Sequence, residues 1–547
     1  MSAITKLQLE KQNKDLRARL ENRQGKAELA LLAMEDEMAY LKDRSHNDSR
    51  TITLLQKELS VLTNELKEAN DLREETLRER VEAKVAKAVE EATAPLIEEL
   101  SKAYMEIARL KAIINKDSAN SSKPPSTNGF KSVPNNREIS DKPRGGQKGH
   151  PGCRLGLPDN LDELIEIGAV VEKVIDHTDG HSEYISRYVI DIEVVTTITE
   201  HRFAIGAKLP EGLYNEVTYG DNIKDMSVLL LNEGIIAELR LSQILSGLTH
   251  GAVSISPATL EKYQSQFAQK LEQNGELKAI KDDLLNGEVI NVDDTPLRCS
   301  ETVDYLDSGE QTIRVAEKSS FDATVRTHSN ENSTYYTVNP RKDMAGVERD
   351  DILPNYFGIL SHDHESKFYN YGTWHATCGE HLLRDLKGLR DLSCIPWAGD
   401  MRALIAKMNK HKNDDLSQGK TACEPALLAK FEKEYDDLLE QGRGELCKMQ
   451  EGSFGYNEFN KMLVRLEDYK DCYLLFIRNY KAPFTNNLAE RDLRGEKTRQ
   501  NISGLFRSWK GINIHAKIRS FISTVKKRKK DLFAAIAYVN QGVAVLR

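Results

Sequence analysis

The chain has 547 residues, 77 basic against 85 acidic side chains, a formal net charge of −8 and a hydrophobic content of 39%. That length holds several domains, and the mild overall acidity says little about partners because the charge is unevenly spread. Seven cysteines without a C-x-x-C pair argue against a disulfide framework or a cysteine-rich zinc site. A charged N-terminus and the lack of any apolar run near about 18 residues argue against a secreted or membrane-spanning protein, so a cytoplasmic location is expected.

Residues 1–116 are rich in Glu, Lys, Leu and Ala, with apolar residues at 3,4 spacing such as Leu55-Leu59-Leu62-Leu66 and Leu100-Ala103-Ile107-Leu110-Ile114. This pattern predicts a coiled coil, which Pro95 and the charge-crowded stretch 74–82 should divide into two or three helical segments. Its apolar stripe needs a partner, so a homo-oligomer formed through it is expected. Residues 117–158 switch to Ser, Pro, Asn, Gly and cations and read as a basic linker. There Lys123, Arg144 and Lys148 are candidate DNA contacts, with a merely solvated linker as the alternative.

Residues 159–217 alternate in the manner of strands, most clearly over 188–198, and predict a small β-rich domain. His177 and His181, four apart, read as surface histidines. Residues 218–275 turn helical: a helix, a Gly-containing turn, then a helix capped by Ser256 with Pro257 at its first position. The pair reads as a DNA-binding helix-turn-helix or as plain helical packing.

The chemistry gathers further on. The stretch EVINVDDTP (288–296) is a β-branched strand delivering Asp293 and Asp294 just before a proline, and YFGILSHD (356–363) ends the same way at Asp363. Carboxylates at strand ends are what a hard divalent cation needs. In FTNNLAERDLRGEKTR (484–499) a helix should begin near Asn487, with Glu490 in its first turn and Arg494 and Lys497 on the same face. The plainer reading is a capping box between Asn487 and Glu490 and an ordinary Glu490–Arg494 surface pair. The run Lys526-Lys527-Arg528-Lys529-Lys530 offers a further phosphate contact or is simply a solvated helix end.

Together these stretches resemble the IS66 family of bacterial insertion-sequence transposases, in its large DDE protein. The resemblance rests on NSSKPPS (120–126), GGQKGHPG (145–152), VDDTP (292–296), HDHESKFY (362–369), CGEHLLR (378–384), NNLAERDLR (486–494) and a C-terminal helix near 520–526. It implies a multidomain α+β protein whose ribonuclease-H-like α/β core comes in two parts, 276–394 and 481–547, around a helical insertion at 395–480. It further implies catalytic and metal-binding roles for Asp293, Asp363 and Glu490, with Mg²⁺ or Mn²⁺ as cofactor. The DNA partners would be terminal inverted repeats and target DNA, cleaved and then joined by strand transfer, and many relatives need accessory proteins of the same element.

The sequence departs from the family pattern at several places. Asp294 stands where relatives usually carry Glu, which makes it an accessory candidate; His364 replaces a usual Gly, and Thr485 replaces an acidic residue. The paired cysteines that relatives often carry after GGQKGHPG are missing here, so no zinc is expected. Cys378 and His381 match the family's C-x-x-H motif and read as structural or flanking the site. The rival reading is a DNA-binding protein derived from a transposase but without catalysis.

Overall fold

The protein, a computed structural model, is described at residues 36, 39, 53, 57, 74–115 and 156–547, apart from positions 169, 178, 180, 181, 211, 307, 308, 318, 319 and 394. Most of the expected coiled coil and nearly all of the basic linker, with Lys123, Arg144 and Lys148, lie outside the described residues. Helix α1 (Glu74–Asn115) runs unbroken through Pro95. That corrects the division expected there. A proline inside a helix forfeits one hydrogen bond at a cost of roughly 3 kcal/mol, which long flanking turns of good helix formers can carry.

The β-rich domain expected at 159–217 is also corrected. Among its described residues the one regular element is α2 (Leu161–Glu166), and Val189, Ile192 and Ile198 lie outside any regular element and exposed. Alternation makes a sheet only when another strand is laid against it. The helical stretch agrees with expectation: α3 (Asp221–Asn232), α4 (Glu238–Leu248) and α5 (Pro257–Gln273) enclose a small core of Leu241, Leu245, Val253, Ile255 and Leu260. The Ser256 hydroxyl accepts the Thr259 N–H at 3.2 Å, with Pro257 at the first helical position.

After α6 (Glu276–Leu285) comes β1 (Val289–Cys299), then the hairpin β2 (Glu301–Tyr305) and β3 (Gln311–Val315), then β4 (Phe321–Ser329) and β5 (Thr334–Asn339). Helix α7 (Met344–Asp350) precedes β6 (Ile359–His362) and β7 (Trp374–Thr377). Five strands form one mixed sheet in the order β5-β4-β1-β6-β7, with β4 antiparallel to both β1 and β5, and β6 parallel to both β1 and β7. Central β1 is apolar where both faces are covered, with Ile290 and Val292 fully buried.

Helix α8 (Gly379–Ser393) leads into α9 (Trp397–Ser417), α10 (Pro425–Leu446), α11 (Phe454–Asp468) and α12 (Lys470–Arg478), which pack about Trp397, Phe431, Tyr435 and Phe459 as a core of their own. The chain returns to the sheet with α13 (Asn487–Ser503), α14 (Trp509–Lys527) and α15 (Leu532–Asn540). Helix α14 shields the edge strand β5: the Ser520 hydroxyl accepts the Tyr336 N–H at 2.8 Å and the Thr524 hydroxyl accepts the Thr334 N–H at 3.0 Å. Helix α1 lies against α8 and α11 with Ala103, Ile107 and Leu110 buried, so part of its stripe is covered by the protein's own body. The whole is a mixed α+β protein.

Candidate active site

Two parallel neighbours in the sheet set the first two carboxylates side by side. Asn291 of β1 pairs with Ser361 of β6, and two residues beyond each stand Asp293 and Asp363. Side chains two apart on adjacent strands share a face, and the strands lie about 4.8 Å apart. Asp294, one residue on, points to the opposite face. There it sits directly across from Arg326 of β4 and, fully buried, meets Lys342 at 2.7 Å, Lys367 at 2.6 Å and Arg326 at 3.4 Å. Burial works against its charge, but Lys367 and Lys342 hold its carboxyl below the usual range. Asp294 is thus committed to three cations and is no spare ligand for Asp293. Lys342 and Lys367 escaped the sequence reading, for which nothing in their spacing marked a carboxylate partner.

The third carboxylate arrives on a helix that starts where expected. Asn486 caps no helix bond with its side chain; instead its amide donates to the Val292 carbonyl at 2.8 Å, and its oxygen accepts from Asn291 at 3.1 Å. Those two bonds tie the start of α13 to β1 beside Asp293, with Glu490 in the first turn. Neither the capping box nor the Glu490–Arg494 pair forms: the Glu490 Oε1 is buried without a hydrogen-bond partner.

The start of α8 is joined to the same place. The Gly379 N–H donates to the Phe484 carbonyl at 2.7 Å, and the Asn486 N–H meets the Cys378 sulfur at 3.4 Å. The Phe484 ring packs so closely on Gly379 that a Cβ there would fall 2.3 Å from a ring carbon. Cys378 precedes α8 and His381 lies in its first turn, so both reach the site: His381 Nδ1 is 3.1 Å from Asp363 Oδ1 and 4.0 Å from Glu490 Oε1.

This concentration of carboxylates is electrostatically strained. Burial, followed by the nearby charges of Asp363 and Asp294 and then Glu490, pushes Asp293 up to about 8. Burial disfavours a charged His381, yet its contacts with Asp363 and Cys378 hold it up at about 11. A bound cation would relieve the acids, and the buried Oε1 of Glu490 has no hydrogen-bond partner of its own.

Of the cations expected at DNA, Arg494 and Lys497 are exposed on α13 and engage no carboxylate. In the basic run after Val525, Lys526, Lys529 and Lys530 are exposed, while Lys527 and Arg528 turn toward the protein. Lys527 meets Asp492 at 2.8 Å, Arg528 donates to the Leu546 carbonyl at 2.8 Å, and Lys530 donates to that of Val545 at 2.6 Å.

The model of the Transposase IS66 family matches residues 237–514, just over half of the chain and including Asp293, Asp363 and Glu490. A second model, that of a family of unknown function (DUF6444), matches residues 48–155. No curated protein and no solved structure matches the chain. With the family's match spanning both the sheet and the helical insertion, the chain belongs to the IS66 family of transposases.

Proposed function

We infer that this chain is a DDE transposase that binds the ends of an insertion sequence and carries out metal-dependent DNA cleavage and strand transfer. The observation that carries the reading is the meeting of Asp293, Asp363 and Glu490, distant in sequence, where β6 stops pairing with β1. The strand order, three antiparallel strands followed by two parallel ones, supports a ribonuclease-H-like core in two parts at 276–394 and 481–547, with an insertion at 395–480.

The donor set suits a hard cation, since it gathers three carboxylates and leaves the buried Oε1 of Glu490 without a hydrogen-bond partner. Mg²⁺ or Mn²⁺, when bound, would lower the pKa of a water or 3′-hydroxyl nucleophile and stabilise the leaving oxygen. The protein's own part is positional. Asn486 and Asn291 hold Glu490's helix to the strand of Asp293, and exposed Arg494 and Lys497 flank the site where a phosphate backbone would run. The α4–α5 helical region would serve end recognition, and the basic linker with Lys123, Arg144 and Lys148 would track the backbone beside it. Terminal inverted repeats and target DNA are the partners proposed, with self-association through the N-terminal segment and accessory proteins of the same element. No described helix is long and apolar enough to cross a membrane.

The test is cleavage of a DNA carrying the element's ends. Asp293→Asn, Asp363→Asn and Glu490→Gln should each keep folding and DNA binding while Mg²⁺-dependent nicking falls by orders of magnitude. Near wild-type nicking by Glu490→Gln would remove it as third ligand. Arg494→Ala and Lys497→Ala should instead weaken binding and flatten its salt dependence by roughly one counterion each.

A further inference from the structure

We propose that Asp363, Cys378, His381 and Glu490 form a mixed-donor site that binds Zn²⁺, overlapping the all-carboxylate site but excluding Asp293. The four residues come from the end of β6, the residue before α8, the first turn of α8 and the first turn of α13. Each offers one ligand atom, and the four atoms lie within 4.8 Å of one another. Glu490 Oε1 is buried without a hydrogen-bond partner, and Asp363 Oδ1 and His381 Nδ1 have only each other, at 3.1 Å. A buried carboxylate oxygen left unpaired is costly, and one converging with a second carboxylate, an imidazole and a thiol calls for a cation among them.

The chemistry of the donors selects the ion. Mg²⁺ demands oxygen ligands in octahedral array and keeps several waters, whereas Zn²⁺ takes thiolate, imidazole and carboxylate together in a tetrahedron. Ligands bound to Zn²⁺ at about 2.0–2.3 Å stand roughly 3–4 Å from each other. The separations of 3.1 Å and 4.0 Å from His381 Nδ1 to the two carboxylates match that spacing. The site is also held ready before any ion arrives. Cys378 is fixed by the Asn486 N–H, and the two helix starts are locked by the Gly379–Phe484 bond.

Sequence counting missed the site because one Cys and one His three apart make half of a zinc ligand set, and the other half arrives only with the fold. The consequence rests on the transposase reading above: because Asp363 and Glu490 serve both sites, Zn²⁺ and the hard catalytic ion exclude each other. Zn²⁺ would therefore inhibit Mg²⁺-supported cleavage.

Titrating the metal-free full-length protein with Co²⁺ tests this. One equivalent should give a thiolate-to-cobalt charge-transfer band with tetrahedral ligand-field absorption, and Zn²⁺ should bleach both. Cys378→Ser should abolish the charge-transfer band, His381→Gln should weaken Co²⁺ binding by about 10–100-fold or more, and Asp293→Asn should leave the spectrum in place. X-ray absorption at the zinc edge of the wild-type protein needs no variant and should show one sulfur near about 2.3 Å. An octahedral Co²⁺ spectrum indifferent to Cys378→Ser, or a zinc shell of oxygen and nitrogen alone, would overturn the proposal. The two readings fail separately: normal cleavage by Asp293→Asn would sink the transposase chemistry and leave the zinc site standing.

Discussion

At Gly379 a single hydrogen atom lets the start of α8, with His381, meet the segment that leads to Glu490. A Cβ would drive into the Phe484 ring, whose carbonyl also receives the Gly379 N–H. Gly379→Ala should therefore cost about 1–3 kcal/mol and separate His381 from Glu490. Denaturant titration and divalent-cation binding measure the two effects. Phe484→Leu in the same chain should recover part of both, and an alanine variant with unaltered metal binding would show the close approach to be irrelevant. Lys412 makes a different point. It is almost fully buried on α9, donates to the Ala482 carbonyl, and has its ordinary value of 10.5 pushed down to about 8 by burial. Because the folded value lies below the unfolded one, the unfolded chain binds the extra proton between these limits. Stability should then rise from pH 8 to 10.5, by at most about 3 kcal/mol, and the penalty should be complete below pH 8. Unfolding measured across that range should lose this slope in Lys412→Met.

Among the elements, α13 carries the heaviest burden, and its inner face is polar as well as apolar. Asp492 Oδ2 accepts from Ser329 at 2.7 Å, Thr334 at 2.8 Å and Lys527 at 2.8 Å. One turn on, Glu496 is fully buried against His515 at 2.8 Å and Arg519 at 3.3 Å. Burial opposes its charge, yet His515, Arg519 and Arg499 hold Glu496 down at about 2. These anchors fix the helix in rotation and translation, and with it Glu490 at its start. Asp492→Ala strands the Lys527 ammonium in a site only 11% exposed and should destabilise by about 3–5 kcal/mol. Asp492→Asn, which keeps the hydroxyl contacts, should cost less. A double-mutant cycle with Lys527→Met checks the attribution, because the two losses should fall well short of adding.

Over the whole molecule, the question left by the sequence is what covers the N-terminal apolar stripe. Part of the answer is internal, since Ala103, Ile107 and Leu110 of α1 rest against α8 and α11. Ile107→Asp should detach α1, seen as faster hydrogen exchange in α8 and α11 with the sedimentation mass unchanged. Deleting residues 1–73, which hold the Leu55-Leu59-Leu62-Leu66 stripe, should instead move the mass toward monomer. An unmoved mass would place self-association elsewhere.

What the sequence determined by itself was local or carried by motif: the capped helix at Ser256, the start of α13 at Asn487, the end of β6 just before Asp363, and the family; β1, expected to stop at Asp293 and Asp294 before Pro296, instead runs on to Cys299 because β4 pairs with it along that length. Those features depend on neighbours within a few residues, where propensity and spacing suffice. Where long-range contact decides, the sequence misled or was silent. Pro95 looked like a break and lies within a continuous helix; residues 188–198 looked like a strand and pair with none among the described residues; in the basic run after Val525, Lys527 is taken by Asp492 and Arg528 by a backbone carbonyl. Asp294 and Asp293 are neighbours with the same side chain, and only the pleat of β1 sends one to three cations and the other to the carboxylates. Cys378 and His381 likewise became site residues only when the sheet set Asp363 beside them and Asn486 drew Glu490 in, because the groups that complete such a cluster are supplied by parts of the chain that share no local pattern.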